Sequence, residues 1–381
     1  MYSKKNIIYI VLFCILFVAC KREVVQNRKG LQIYTMQECE HKSFLLDDST
    51  TQVLKYIQTF VENDSLKLAL YNAPVNNICF FDVKSGKSIK KIQLFEDGPN
   101  ALKENFQGFH YQSTDSIWIF KNWPEEICLV DSKGVIFWKK KIDEINSINS
   151  NYAAPEILPN SNLPIKKIGD YLILQGQGFK RENSDKEPGV TLLYNIKDET
   201  IITANPYPAI YGDDENIWQV FAYRTVPYDV SDEHKMVLSF PADDSLRVYD
   251  IRTGNISAYF AGHSINHKIK PSSSSTRAGM EKHVLGQAQY PGIYYDQWND
   301  LYYRIMTLPA SDYDKNAGSK LRRELCVIIL NNEFEKVGEY LVKERSHTYS
   351  HAFVSQEGLH INVLSDNDDY LTFITLKPCK L

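Results

Sequence analysis

Ile78-Cys-Phe-Phe-Asp-Val-Lys-Ser-Gly86 decides the fold. It is a short apolar run, rich in aromatic residues, closed by Asp and a Gly-containing turn. That is the composition of a strand ending in a tight corner. The same shape returns as Ile127-Cys-Leu-Val-Asp-Ser-Lys-Gly134 and Leu246-Arg-Val-Tyr-Asp-Ile-Arg-Thr-Gly254. Looser copies are Leu192-Leu-Tyr-Asn-Ile-Lys-Asp198 and Cys326-Val-Ile-Ile-Leu-Asn-Asn332. Each copy has one apolar run upstream and another downstream, so the repeating unit is a β-meander.

Outward from these copies, strand-like runs fall into groups spanning 56–95, 106–139, 152–204, 217–260 and 292–341, four runs in each. A last group, 351–376, has three. The first runs of the third and fourth groups are Tyr152–Leu158 and Ile217–Thr225. This count predicts an all-β fold: a β-propeller of six four-stranded blades in one domain, 31–381. The missing outer strand of the last blade is expected from the N-terminal segment near Lys42–Asp47. Pairing the two chain ends leaves no terminal sheet edge unprotected. The alternative is seven blades, with Leu31–Met36 and part of a long loop making another. With strands named A to D from axis to rim, the A–B and C–D connections are short. The B–C and D–A connections are long, notably 143–151, 176–189, 205–216, 262–291 and 308–323. Those share one face, which is expected to carry function.

At the N-terminus, Lys4 and Lys5 precede an apolar stretch from Asn6 to Ala19, too short to span a bilayer and suited to a signal segment, 1–19. It ends Phe17-Val-Ala-Cys20, which looks like a bacterial lipobox, with Cys20 as the lipidated residue. Acyl chains such as palmitate would then hold the body at a membrane, and residues 20–30 would be a flexible tether. The 43 basic and 47 acidic residues leave no basic face for a phosphate backbone, so nucleic acid is not an expected partner.

Cys79, Cys128 and Cys326 occupy equivalent C-strand positions and are expected to be buried thiols. Cys39 and Cys379 flank the two strands expected to pair, so a disulfide between them could clip the ring shut. Ser85-Gly-Lys-Ser88 lacks the first Gly of a phosphate loop, and Gly176-Gln-Gly178 lacks the third Gly of a dinucleotide site. His263 and His267, like His347 and His351, are four apart, but on strand and loop, where hydrogen-bonded imidazoles are expected rather than a metal. Asp366-Asn-Asp-Asp369 lacks the Gly and Glu of a calcium loop, and Asp213-Asp214 and Asp243-Asp244 read as turn acids. No catalytic residue, metal or cofactor is expected. The candidate ligand-binding residues are His110, Tyr223, Arg224, Arg277, Tyr290, Tyr349 and His351, on inner strands or long loops. Aromatic faces with Arg suit glycans, peptides or carboxylates. Arg277 follows the Ser-rich stretch 272–276 in what reads as a loop.

The Phe17-Val-Ala-Cys20 end of the signal, the overall length and the Tyr- and Asn-rich meanders such as Leu246–Gly254 together resemble a family of uncharacterised lipoproteins of Gram-negative gut anaerobes, a domain-of-unknown-function family. The resemblance implies a six-bladed propeller of the TolB-like kind and no catalytic residue. The expected function is a monomeric, non-enzymatic binding or scaffold module of the cell envelope, lipid-anchored at the outer membrane, for a protein, peptide or glycan. The alternative is a propeller enzyme, a hydrolase or lyase acting on glycans.

Overall fold

A computed structural model describes residues 30–148, 151–180, 185–212, 221–231, 234–274, 276–310, 323–342, 347–364 and 367–381. Cys20, Asp213-Asp214 and Asp366 lie outside the described residues.

The Asp or Asn that closes each copy of the repeat is the local cause of its corner. Asp82 Oδ1 accepts the Ser85 N–H at 2.8 Å, and Asp131 Oδ1 accepts those of Lys133 and Val135, both at 2.9 Å. Asn195, Asp250 and Asn331 do the same for the amides two to four residues on. The side chain satisfies backbone donors that the sheet has just released, so the third strand of each meander turns sharply into the fourth. Gly86 and Gly134 follow with φ of 68° and 78°. A Cβ on Gly86 would stand 2.3 Å from the Ser43 carbonyl oxygen, and one on Gly134 2.3 Å from that of Gln93. Each corner is thus pressed against the outer strand of the neighbouring sheet, and only Gly has the room.

The chain forms an all-β, propeller-like arrangement. Three sheets are four-stranded antiparallel meanders: 57–93, 106–141 and 228–260. A fourth sheet, built on Lys166–Ile168, Tyr171–Gln177, Gly189–Asn195 and Thr200–Pro206, gains two short strands, Asn146–Ser147 and Glu156–Ile157. The fifth is eight-stranded. In it the meander 289–342 and the three strands His347–Ser355, Gly358–Val363 and Tyr370–Lys380 sit either side of Tyr34–Leu45. Tyr34–Leu45 pairs antiparallel with Tyr370–Lys380 from Tyr34↔Lys380 to Leu45↔Tyr370, and touches the meander 289–342 through one parallel pair, Tyr34↔Gly338. The N-terminal segment therefore lies beside the last strand, as its sequence position requires. Leu31–Met36 starts no further sheet: it lies along the beginning of Lys336–Val342 and enters Tyr34–Leu45.

Apolar clusters between consecutive sheets make the core. One joins the first two meanders through Tyr71, Phe80, Phe106 and Phe109, and another joins the last strands back to the first through Phe44, Phe353, Phe373 and Phe81. The inner strands lie side by side around an axis. Successive antiparallel strands reverse, so the A–B and C–D turns share one face and the B–C and D–A connections the other.

Four expectations are corrected. The inner strand of the third group is Lys166–Ile168; of the predicted run, Glu156–Ile157 pairs further along the same partner strand and Ala153 forms an isolated parallel bridge to Pro188. In the fourth group the inner strand is Tyr228–Val230. Within the predicted run, Phe221–Arg224 is a short helix, and 217–220 lie outside the described residues. Arg277 begins a helix, Arg277–Gly286, because the Thr276 side chain accepts the Gly279 N–H and caps it. The Cys39–Cys379 disulfide does not form. Cys39 faces Thr375 and Cys379 faces Thr35, four residues apart along the pair, or about 13 Å at strand rise, against the roughly 7 Å limit of a bridge. Cys79, Cys128 and Cys326 are buried and free, and burial pushes the Cys128 and Cys326 thiols up to about 12.

Candidate functional site

The axis is stopped at one end by the chain itself. Between Ile157, opposite Gly176, and Lys166, opposite Ile173, the inner strand of the third sheet leaves its partner and returns. The excursion, Leu158-Pro-Asn-Ser-Asn-Leu-Pro-Ile165, has two prolines that cannot donate to a ladder, which is the local reason for its departure. Its polar groups are met from other sheets instead. Ser161 Oγ accepts the Ile57 N–H at 3.1 Å and shares a 2.8 Å hydrogen bond with His351 Nδ1. Asn162 donates to the Pro291 carbonyl at 3.1 Å and accepts the Tyr294 hydroxyl at 3.0 Å. The Pro164 carbonyl takes the Tyr228 hydroxyl, the Ile165 N–H donates to the Tyr56 hydroxyl at 2.7 Å, and the Ile165 carbonyl takes Gln58 Nε2 at 2.9 Å. Ile57, Gln58, Tyr228 and Pro291 stand at or near the beginnings of inner strands, so the plug closes the long-loop end of the axis.

Beneath the plug lies a half-open cavity of about 290 Å³, walled by all the inner strands. Its lining runs out to Phe60, Val61, Lys167, Val230, Gln297 and Trp298, at the short-turn end. The cavity therefore opens on the face opposite the long loops, where sequence reasoning expected the site. Among the described residues, Asp229 is the one carboxylate in its lining. It is fully engaged: Oδ1 accepts Lys166 Nζ and the Val230 N–H at 2.6 Å, and Oδ2 accepts the Tyr295 N–H at 3.0 Å. His110 Nδ1 meets Gln58 Nε2 at 3.1 Å. Burial, first, and then the Lys166 charge hold His110 down at about 4, and burial holds His351 at about 4. Both imidazoles are neutral at physiological pH. Lys167 carries the charge that Asp229 does not balance, and Trp298, partly exposed, stands beside the opening, while the Phe60 ring packs 4.1 Å from that of Tyr111.

The predicted residues separate into walls, core and surface. His110 lines the cavity and His351 holds the plug. Tyr349 is half-buried, its carbonyl accepting the Tyr294 hydroxyl at 3.4 Å. Tyr223 is fully buried under the helix Arg277–Gly286, its ring 5.9 Å from that of His283. Arg224 is buried, donates to the Gly178 carbonyl and lies 4.3 Å from the Phe179 ring centre. Tyr290 is buried and donates to Asp244 at 3.1 Å. Arg277 is exposed and is not among the residues that line the cavity. Lys166, Lys167, Asp229 and Trp298 were missed. Their only sequence signal is a place at the end of an inner strand, and that depends on locating the strand correctly.

Two other polar clusters are structural. Arg304, wholly buried, gives Nε to Ser239 Oγ at 3.0 Å and its two terminal nitrogens to the carbonyls of Phe240, Asp243, Asp244 and Ala261 at 2.7–3.3 Å. It lies 3.8 Å over the Tyr290 ring and stitches the fourth meander to the fifth. Asp243 and Asp244 act as turn and contact acids there. His263, Cys326 and Glu339 bring one ligand atom each within 4.8 Å of one another. However, the Lys336 ammonium sits 2.6 Å from Glu339 where a cation would go, and His263 Nδ1 accepts the Ile265 N–H at 3.1 Å. That bond puts the imidazole proton on Nε2, the nitrogen facing Glu339, so the set does not fit a metal.

The model of the family described as a domain of unknown function, DUF4221, matches residues 34–341. The chain is similar to a member of that family from Bacteroides vulgatus of known crystal structure, at 21% identity and a TM-score of 0.74, covering 92% of this chain and 99% of that one. It is also similar, at 10% identity and a TM-score of 0.54, to a Bacteroides fragilis chain described as an exported protein, covering 92% and 97%. At these identities the likeness concerns the fold. There is no significant match among curated proteins.

Proposed function

We propose, for a chain that belongs to the family of the domain of unknown function DUF4221, a binding module of the cell envelope. In this reading it is a six-bladed propeller held at the outer membrane by lipid on Cys20, and its axial cavity recognises a ligand without turning it over. Six blades account for the eight-stranded sheet as two blades touching through the single pair Tyr34↔Gly338. They also account for apolar clusters that run from each sheet to the next and back to the first. Lys4-Lys5, the apolar 6–19 and Phe17-Val-Ala-Cys20 support the anchor. Among the described residues no helix is long and apolar enough to cross a membrane.

The observation that carries recognition over catalysis is the engagement of Asp229. Glycoside hydrolysis needs two carboxyl groups, one to donate a proton and one to attack or activate water. Among the described residues this cavity has one in its lining, and it is bonded to three donors. With Lys167 and Trp298 at the opening, the ligand that fits best is an acidic sugar, with an apolar ring face and a carboxylate. Calorimetry with acidic and neutral glycans tests this. Binding of the acidic ones that is lost in Trp298→Ala and Lys167→Ala supports the reading. Absence of binding to wild type, or equal binding to the variants, rejects the cavity. Product formed from the same glycans would replace recognition with a glycan enzyme.

A further inference from the structure

The direction of the first strand fixes which way an anchored ring can face. Tyr34 stands opposite Lys380, at the C-terminal end of a third strand, and third strands run toward the short-turn face. The chain therefore enters at that face and climbs toward the long-loop face at Leu45. Its entry point is pinned: the Leu31 and Ile33 amides donate to the Lys336 and Val337 carbonyls at 3.2 and 2.8 Å, at the start of the outer strand Lys336–Val342. The axial cavity opens on the same face, at Gln297 and Trp298.

We infer that the anchored protein turns its short-turn face, with the mouth of the cavity, toward the bilayer surface, and turns its long-loop face away from it. The inference rests on the lipid-anchor reading. Two lengths decide it. From Cys20 to Gly30 the chain can span at most about 35 Å when fully extended. Tyr34–Leu45, which runs from one face to the other, is 12 residues long, or about 40 Å at strand rise. A tether leaving the short-turn face is thus too short to pass the body and set the long-loop face on the membrane. The cavity is filled from the gap between ring and bilayer. Small ligands and groups borne on the membrane surface reach it, and bulky soluble partners meet the long-loop face, including the exposed helix Arg277–Gly286.

Cysteine accessibility tests this on the full lipidated chain in phospholipid vesicles, in a Cys39→Ser, Cys379→Ser background that removes the exposed thiols. Gln297→Cys reports the short-turn face and Asp97→Cys, in the connection after the first meander, the long-loop face. Each is labelled with a bulky polyethylene-glycol maleimide, and its rate is divided by that of the same variant made soluble by Cys20→Ala. Labelling at Gln297→Cys is expected to slow several-fold on vesicles while that at Asp97→Cys is unchanged. Equal ratios, or protection of Asp97→Cys, overturn the orientation. The anchor is read separately: if the Cys20→Ala protein stays with the vesicles, the lipid reading fails, whatever the labelling ratios.

Discussion

Acid should unfold this protein well before its carboxylates titrate, and the size of the effect can be worked out. His360 lies fully buried between the Ser355 hydroxyl at 2.7 Å and the Thr375 hydroxyl at 3.1 Å, stacked 4.5 Å from the Phe353 ring. Burial, then the nearby Lys42 charge, hold it at about 3, while His110 and His351 are held at about 4. Unfolded, each takes up a proton near its ordinary value of about 6.5. Below that value the unfolded chain binds more protons than the folded one, so stability is full above about pH 7.5 and falls as pH drops toward the folded values. At pH 5 each histidine costs about 2 kcal/mol, and the three together about 6 kcal/mol, comparable with the whole stability of many domains. His263 and His267 shift the same way. Asp47 and Asp82 are held low, chiefly by Lys91 and Lys67, so their contribution is intact at these pH values and is lost only as pH falls below about 4. Urea unfolding followed by tryptophan fluorescence at pH 7.5, 6 and 5 measures the slope. His360→Gln, which keeps a hydrogen-bonding side chain but does not titrate, should reduce the loss between pH 7.5 and 5 from about 6 to about 4 kcal/mol. A stability that is flat over that range, or a variant with the wild-type slope, would refute the reasoning.

Other substitutions test the joints between sheets. Arg304→Leu leaves four carbonyls and the Ser239 hydroxyl without their donor and should cost about 3–5 kcal/mol, read as a lower urea midpoint. Ser161→Ala strips the Ile57 amide and His351 of their shared partner; a loss of about 2 kcal/mol is expected, with faster hydrogen exchange at Ile57. Gly134→Ala forces a Cβ against the Gln93 carbonyl at a positive φ, for about 2 kcal/mol, whereas Gly254→Ala, with open space around it, should cost less. Non-reducing mass spectrometry of the protein should find Cys39 and Cys379 as free thiols, since they stand four residues out of register.

What the sequence made legible was what is local. The Asp or Asn at the end of each third strand makes its hydrogen bonds within four residues, so the repeat could be seen and the groups placed from composition alone. The N-terminal strand followed from counting, since a last group one strand short leaves an edge that must be covered. The inner strands of the third and fourth groups were misread for the opposite reason. Tyr152–Leu158 looks more strand-like than Lys166–Ile168, but the partner strand pairs with both, and the prolines between them send the chain across the axis. That crossing is settled by Ile57, Tyr228, Pro291 and His351, each from a different group and more than sixty residues from its partner in the plug. The candidate residues divide in the same way, with His110 in the cavity lining and others in the core. Tyr223, Arg224 and Tyr290 look like ligand groups in sequence and are core in space, because aromatic and Arg side chains also serve to close gaps between sheets.

The strand Tyr34–Leu45 also sets a clock. It is among the first parts of the body to be synthesised, but its main partner, Tyr370–Lys380, is the last. Until the final residues are available, that strand and the faces of the first and last sheets have no mates, so the ring cannot complete from its N-terminus onward. Contacts this distant in sequence make closure a slow, late step. An interruption of the chain before Tyr370 leaves Tyr34–Leu45 without its main partner at the seam, ready to pair with another copy.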